Sequence, residues 1–130
     1  MDEVTVIIGS ENDRPLLQPL EDTLKSSKIN YTINVYSAHR NLNELLIFLK
    51  KNKTKIYIAA AGLSAALPGV VASQVSQPVI GVPLVVGELK GLDALLSILQ
   101  LPKGVPVATM GIGKHGLINA GLLAAKILGK

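Results

Sequence analysis

The sequence predicts an α/β fold, a three-layer α/β/α sandwich around a five-stranded parallel sheet. Five short apolar runs alternate with five segments of helical spacing, and the connections between them are short. The apolar runs are continuous rather than alternating, which is typical of parallel strands covered on both faces. Because 130 residues suit one domain, we expect residues 1–130 to form a single domain.

The first half of the chain holds two predicted strands and two predicted helices. The strands are Val4–Gly9 and Tyr31–Tyr36, since both are short and rich in β-branched or aromatic residues. Pro15 suits the first turn of a helix, and the apolar positions that follow at helical spacing are Leu16, Leu17, Leu20 and Leu24. Asn41 and Glu44 resemble a capping box at the start of the second helix.

The second half holds three strands and three helices. The predicted strands are Ile56–Ala61, Val79–Val82 and Val105–Met110. One helix is expected to begin near Pro68, and two more cover Leu89–Leu99 and Leu117–Leu128. The simplest arrangement of these alternating elements is flavodoxin-like, with the strand order 2-1-3-4-5.

Composition excludes several classes of function. The chain has 13 basic and 9 acidic residues, a net charge of +4, one Phe, three Tyr and no Trp. It therefore lacks the aromatic platforms of nucleic-acid binders, and we interpret the lysine-rich segment 50–55 as a solvated helix end. With no Cys and two His, the chain lacks the residues of a zinc site, and no metal is expected.

An uncharged stretch runs from Ile56 to Gly87. Gly, Pro and Gln residues interrupt it, so it does not predict a membrane span. A domain of this size has too little interior for so much apolar surface, so we expect a homo-oligomer. Small residues of the last helix are expected to let neighbouring subunits pack closely: Ala120, Gly121, Ala124 and Ala125. An acidic N-terminus, unlike a signal peptide, favours a cytoplasmic protein.

Polar residues collect in three loops of this apolar chain. In an open parallel sheet, ligands bind beyond the carboxyl ends of the strands, where the strand order switches. In the order 2-1-3-4-5 that place lies among the loops after the first three strands, residues 9–13, 37–40 and 61–67. Because these loops are rich in Ser, Asp, His, Arg and Gly, we expect a binding site there.

The first of these loops leaves alternatives open. Ser10 and the backbone amides beside it suit a phosphate or carboxylate, and Ser10 can equally cap the turn. On local sequence, Asp13 is better explained as the N-cap of the first helix than as a ligand contact.

The second and third loops carry more specific signals. Arg40 can hold an anion through two hydrogen bonds, and an imidazole such as that of His39 exchanges protons near neutral pH, so we interpret the pair as functional. Gly62 and Gly69 are expected to permit close backbone approach. The G-x-G-x-x-G sequence at Gly111–Gly116 lacks the later strand and acidic residue of a dinucleotide site, so we interpret it as a packing or interface element.

Motifs along nearly the whole chain resemble those of one enzyme family. The matching segments include Gly9-Ser10-x-x-Asp13, Ser37-Ala38-His39-Arg40 and Leu67-Pro68-Gly69, and they continue to Asn119-Ala120. They resemble the N5-carboxyaminoimidazole ribonucleotide mutases, also called phosphoribosylaminoimidazole carboxylase catalytic subunits, of purine biosynthesis. The resemblance implies a flavodoxin-like subunit in a homo-octamer, with active sites at subunit junctions.

The resemblance also implies a reaction and roles for residues. The carboxyl group would leave N5 of N5-carboxyaminoimidazole ribonucleotide as CO2 and then join C4 of the ring, an isomerase reaction without metal or cofactor. Ser10 and Asp13 would bind the phosphoribosyl part. Arg40 would hold that part or the carboxylate, and His39 would move the proton. The other substrate-binding residues within matching motifs are Ser37 and Gly62.

Departures from the mutase pattern keep alternatives open. Ala66 stands where mutases commonly have His, so any proton or orientation role there is lost and His39 acts alone. The stretch 61–67 is somewhat similar to animal-type carboxylases that use free CO2 and aminoimidazole ribonucleotide, but those carry Lys where this chain has Arg40. The mutase is favoured over such a carboxylase. A non-catalytic nucleotide-binding module, which would not need His39, is the remaining alternative.

Overall fold

A computed structural model describes residues 2–130 and contains the alternating elements expected from the sequence. The strands are β1 (Val4–Ile8), β2 (Tyr31–Val35), β3 (Ile56–Ala61), β4 (Val79–Pro83) and β5 (Ala108–Thr109). The α-helices are α1 (Gln18–Ser26), α2 (Leu42–Lys51), α3 (Leu67–Gln74), α4 (Leu92–Leu99) and α5 (Gly113–Ile127). A 3₁₀ helix, Glu11–Leu17, leads into α1.

All five strands form one parallel sheet in the order β2-β1-β3-β4-β5. The register places Val6 of β1 opposite both Ile33 of β2 and Ile58 of β3. The predicted flavodoxin-like sandwich is therefore confirmed. The chain leaves β1 towards β2 and leaves β3 towards β4, so the loops after these strands diverge and form a crevice at the carboxyl edge of the sheet.

Two apolar clusters fill the spaces between the sheet and its helices. Val6 and Ile8 pack on the side covered by α1 and α5, whereas Ile7 packs on the side covered by α2, α3 and α4. The strands β1, β3 and β4 are buried along their whole length, as their continuous apolar sequences predict. This packed centre holds the three polar loops at one edge.

The small residues of α5 pack inside the subunit. Ala120 and Ala124 are fully buried, and Gly121 and Ala125 are buried too. A Cβ atom at Gly121 would lie only 2.8 Å from Cγ2 of Thr23 on α1, so this glycine permits the close approach of the two helices. The expectation that these residues contact a neighbouring subunit is therefore wrong, because α5 uses them to pack on α1 and the sheet.

The last strand is shorter than predicted. β5 is limited to Ala108–Thr109, within the expected Val105–Met110. It lies at the edge of the sheet beside β4, and Pro106 has no N–H to donate to the ladder. The apolar sequence before Ala108 therefore continues as irregular backbone.

Two helices begin at residues other than those predicted. Gly91 has a φ of +92°, which ends the preceding turn, so α4 begins at Leu92 and not at Leu89. α5 begins at Gly113 and so contains one more turn than the expected helix from Leu117. Both differences lie at glycines, where local sequence does not specify which backbone conformation is adopted.

The side-chain caps predicted for the first two helices do not form. Ser10 caps the first turn, because its Oγ accepts a hydrogen bond from the Asn12 N–H at 3.1 Å. The prediction that Asp13 is this cap is wrong. Asn41 precedes α2 without a side-chain cap bond, so the expected capping box with Glu44 is also wrong.

Candidate active site

A cavity of about 510 Å³ opens at the carboxyl ends of β1, β2 and β3. Its walls are the loops after these strands and one residue after β4, Val86. The cavity lies where the strand order predicts a ligand crevice. The residues assigned to the site from the sequence all line it: Ser10, Asp13, Ser37, His39, Arg40 and Gly62. The structure thus brings these residues together, while their roles remain predictions.

Ser10 is held in place by the turn that it caps. Its backbone is extended, with a φ of −153°, and its carbonyl accepts the Asp13 N–H at 3.0 Å. The turn-capping alternative for Ser10 is therefore confirmed. A hydroxyl that accepts one hydrogen bond still has its own proton to donate, so Ser10 is also able to bind an anionic oxygen.

The carboxylate of Asp13 lies in the cavity wall, and no side chain or backbone amide of residues 2–130 pairs with it. Burial raises the pKa of Asp13, because loss of solvent disfavours the charged form. An unpaired, partly desolvated acceptor costs stability in the free protein. Hydroxyl groups of a ligand would supply the missing hydrogen bonds.

Replacing Asp13 with Asn is expected to separate stability from binding. The amide has no charge to desolvate, so the variant should be slightly more stable than the wild type at neutral pH. If Asp13 binds the substrate, as the family resemblance implies, the KM should rise about 10-fold, because the variant would lose a charge-assisted hydrogen bond. Thermal unfolding and steady-state kinetics measure the two effects.

The stability gain of this variant should depend on pH. Because the pKa of Asp13 is raised in the folded state, the wild type loses stability as the pH rises through the ordinary aspartate pKa of about 3.9. Below that pH the Asp13 carboxyl is protonated in both the folded and the unfolded wild type, so the difference in stability between Asp13→Asn and the wild type should vanish. If Asp13→Asn were less stable than the wild type at neutral pH, the Asp13 carboxylate would not be destabilised by burial, which would contradict this explanation.

The turn from Ser37 to Asn41 presents His39 and Arg40 to the cavity. Oγ of Ser37 accepts the His39 N–H at 3.2 Å and the Arg40 N–H at 3.1 Å. The side chains of His39 and Arg40 are exposed, and among residues 2–130 neither has a hydrogen-bond partner. An imidazole and a guanidinium are therefore available to a ligand from one short turn.

A second arginine near the cavity is already paired. Arg14 donates from Nε to Oε2 of Glu11 at 2.8 Å and from Nη2 to Oε1 at 3.1 Å. These hydrogen bonds lower the pKa of Glu11 and raise that of Arg14. Arg40 is therefore the guanidinium that an anionic ligand would meet.

The third loop makes a mainly apolar wall of the cavity, with Ala61, Leu63, Ala66 and Leu67 as its apolar lining residues and Ser64 as its polar one. A Cβ atom at Gly62 would lie 2.8 Å from Cβ of Val86, which confirms the expected close approach. Leu63 has a φ of +55° and packs against Gly87, where a Cβ atom would lie 2.7 Å from Cδ2 of Leu63. One polar and one apolar wall suit a ligand with an anionic part and a flat organic ring.

Sequence reasoning missed Leu63 and Val86 as wall residues. Val86 follows β4, so only the adjacency of β3 and β4 in the sheet could have indicated it. Leu63 lies within a predicted site loop, but a leucine carries no chemical signal of ligand contact. Both are apolar, and their contribution is the shape of the cavity.

The G-x-G-x-x-G segment lies outside the cavity, where α5 begins. A Cβ atom at Gly116 would overlap the carbonyl group of Gly111, and Gly113 has a φ of +65°. These glycines permit the turn to pack tightly on the helix, as the packing interpretation predicts.

Neither a metal cluster nor a membrane helix is found in the described residues. Between residues 2 and 130, no three or more His, Cys, Asp or Glu side chains are grouped so that they could hold a metal ion. Over the same residues, no helix combines the length and the apolar character needed to cross a bilayer.

The chain is similar to known proteins over almost its whole length. The sequence model of the family described as AIR carboxylase matches residues 3–130. The N5-carboxyaminoimidazole ribonucleotide mutase of Saccharolobus solfataricus is 48% identical over 132 residues, which cover 99% of this chain and 82% of the relative. The protein of the same name from Haemophilus influenzae is 43% identical over 129 residues, covering 97% of this chain and 79% of the relative.

A solved structure extends the similarity to three dimensions. PurE from Treponema denticola matches with a TM-score of 0.85 and 32% sequence identity, covering 97% of this chain and 79% of that one. The family match spans the three loops that line the cavity as well as the core of the sheet. The chain therefore belongs to the AIR carboxylase family, in agreement with the resemblance of its motifs.

Proposed function

We propose that the protein is an N5-carboxyaminoimidazole ribonucleotide mutase, an isomerase of purine biosynthesis. It moves the carboxyl group of its substrate from N5 to C4 of the aminoimidazole ring through CO2. One observation carries this proposal: the imidazole of His39 and the guanidinium of Arg40, both without a side-chain partner among residues 2–130, share the ligand crevice of a chain whose relatives are named mutases.

The polarity of the substrate matches the two walls of the cavity. The phosphoribosyl part lies on the polar wall, where Ser10 donates a hydrogen bond and Asp13 accepts from hydroxyl groups. Arg40 binds the phosphate or the carboxylate through two hydrogen bonds. The ring and CO2 lie against the apolar wall beside Gly62, where a side chain would have no room.

His39 moves the protons in this mechanism. As the bond between N5 and the carboxyl carbon breaks, the imidazolium donates a proton to N5, and CO2 is released into the cavity. C4, which is nucleophilic because the amino group supplies electrons to the ring, attacks CO2 and forms the new C–C bond. Neutral His39 then removes the C4 proton, which restores the aromatic ring and the imidazolium. Holding CO2 beside C4 avoids a new bimolecular encounter.

A direct assay tests the proposal and its nearest alternative. The protein should form 4-carboxy-5-aminoimidazole ribonucleotide from the N5-carboxy substrate at a rate that does not depend on added bicarbonate. Ala66, in place of the His of the mutase pattern, is the departure that motivates testing a second candidate, a carboxylase that adds free CO2 to aminoimidazole ribonucleotide. Product from aminoimidazole ribonucleotide and bicarbonate, with none from the N5-carboxy substrate, would establish that candidate. A non-catalytic module would catalyse neither reaction, nor exchange of the C4 proton with deuterium.

We also propose that the enzyme works as a homo-octamer in the cytoplasm, as the family resemblance implies. Exposed leucines on α4 support a contact between subunits. Leu92, Leu96 and Leu99 share one face of the helix and are 50%, 48% and 58% exposed, and Leu89 just before them is 61% exposed. Single exposed leucines are common, but an aligned set is typical of a surface that another protein covers.

Replacing Leu96 with Glu is expected to shift the protein towards smaller species without unfolding it. The new carboxylate would be buried without a partner in the subunit contact, while it remains solvated in the free subunit. Light scattering measures the mass, and circular dichroism checks the fold. The matched control is Lys50→Glu, in the exposed, lysine-rich last turn of α2, which should keep the native mass. An unchanged mass for Leu96→Glu would refute the contact through α4.

A further inference from the structure

Three successive backbone N–H groups of the second loop donate hydrogen bonds to one residue, Ser37. The N–H groups of His39 and Arg40 donate to Oγ of Ser37, at 3.2 and 3.1 Å, and the Asn41 N–H donates to the Ser37 carbonyl at 2.9 Å. The Ser37 N–H donates to Oδ1 of Asn41 over 3.5 Å, a long bond that contributes little. Ser37 is thus the main support of this turn.

The side chains on the turn depend on that support. Neither His39 nor Arg40 is anchored through its own side chain within residues 2–130, so the backbone decides where the imidazole and the guanidinium lie. Ala38, between them and Ser37, has no polar side chain with which to fix the turn. Loss of the Ser37 hydroxyl would therefore free the two residues on which the proposed chemistry depends.

We propose that Ser37 is a positioning residue, whose Oγ fixes His39 and Arg40 relative to each other and to the substrate. This inference rests on the proposed function for its catalytic consequence. A serine oxygen has two lone pairs and one proton, and the two amides occupy the lone pairs. The hydroxyl proton remains available to donate to an anionic oxygen of the substrate, so one hydroxyl both orders the turn and takes part in binding.

The effect on catalysis separates positioning from simple binding. Ser37→Ala should lower kcat about 10-fold as well as raise KM, because a misplaced imidazole slows proton transfer even in the saturated enzyme. Ser37→Thr, which keeps the hydroxyl, should restore kcat to within about 3-fold of the wild type. A change confined to KM, or no rescue by Thr, would refute the positioning role.

Coupling to His39 gives a second readout. If Ser37 acts through His39, adding Ser37→Ala to a His39→Asn variant should lower kcat by much less than it does in the wild type. If Ser37 acts independently of His39, the loss of kcat in the double variant should equal the product of the losses in the two single variants. A loss of kcat in the double variant that equals this product would therefore overturn the inference.

Amide hydrogen exchange tests the positioning without any assay of the reaction. In Ser37→Ala, the His39 and Arg40 amides should exchange about 5-fold faster or more, which corresponds to the loss of a typical hydrogen bond. Ser64→Ala removes a different hydroxyl from the same cavity and should leave these two amides unchanged. Unchanged exchange in Ser37→Ala would refute the inference, whereas faster exchange in a protein without mutase activity would refute only the proposed function.

Discussion

Replacing His39 with Asn is expected to lower the turnover number by at least about 10²-fold. The Asn amide cannot exchange a proton near neutral pH, so protonation of N5 and deprotonation of C4 both lose their carrier. The KM should change little, because in the proposed mechanism His39 acts at the reacting atoms while other residues hold the phosphoribosyl part. Steady-state kinetics measures the loss, and unfolding curves verify that the variant is folded.

The second histidine provides the control for this experiment. His115 is exposed in the first turns of α5 and does not line the cavity. Its replacement by Asn should therefore keep the turnover number within a few-fold of the wild type. If His39→Asn were as active as His115→Asn, proton transfer by His39 would be the wrong mechanism.

Replacing Ala124 with Glu is expected to unfold the subunit or to destabilise it by more than about 3 kcal/mol. Ala124 is fully buried where α5 packs on the sheet and α1, so the longer side chain has neither space nor a partner for its charge. The loss should appear in denaturant unfolding monitored by circular dichroism. It should be the same at all protein concentrations, because the damage lies within one subunit.

A substitution at an exposed position of the same helix shows whether the loss of stability comes from burial or from the added negative charge. Lys126 is exposed two residues further along α5, so Lys126→Glu should change the free energy of unfolding by no more than about 0.5 kcal/mol. A stable Ala124→Glu protein that merely forms smaller assemblies would contradict the packing described here. It would instead support a contact between subunits at the small residues of α5.

The fold and the position of the site could be predicted because both follow from simple regularities. Continuous apolar runs such as Ile56–Ala61 have no solvent-facing side, which indicates a parallel sheet with helices on both faces. The strand order then places the loops that contain His39 and Arg40 at one edge. These loops bring Ser, Asp, His and Arg together at that edge, whereas the strands that lead into them are mostly apolar.

The errors have a common origin in contacts that local sequence does not specify. Ser10 and Asp13 are both residue types that cap helices, and Ser10 is the cap because the helical backbone already begins at Glu11. At the second helix, Ser37 takes the amides of the preceding turn, while Asn41 makes no side-chain cap bond. The small residues of α5 suit close packing against any helix, and only the tertiary structure shows that the partner is α1 of the same subunit.

The pairing of α1 with α5 bears on how the protein is made. Val4, Val6 and Ile8 emerge from a ribosome more than 100 residues before α5, the helix that completes their cover and begins at Gly113. At usual rates of translation, roughly 5–20 s separate these segments. During that time α1 covers part of one side of the nascent sheet but α5 is missing, so apolar residues of the strands are exposed to other chains. We expect this interval to be when newly made protein depends most on chaperones, so that changes that weaken α5 lower the yield of folded protein in the cell.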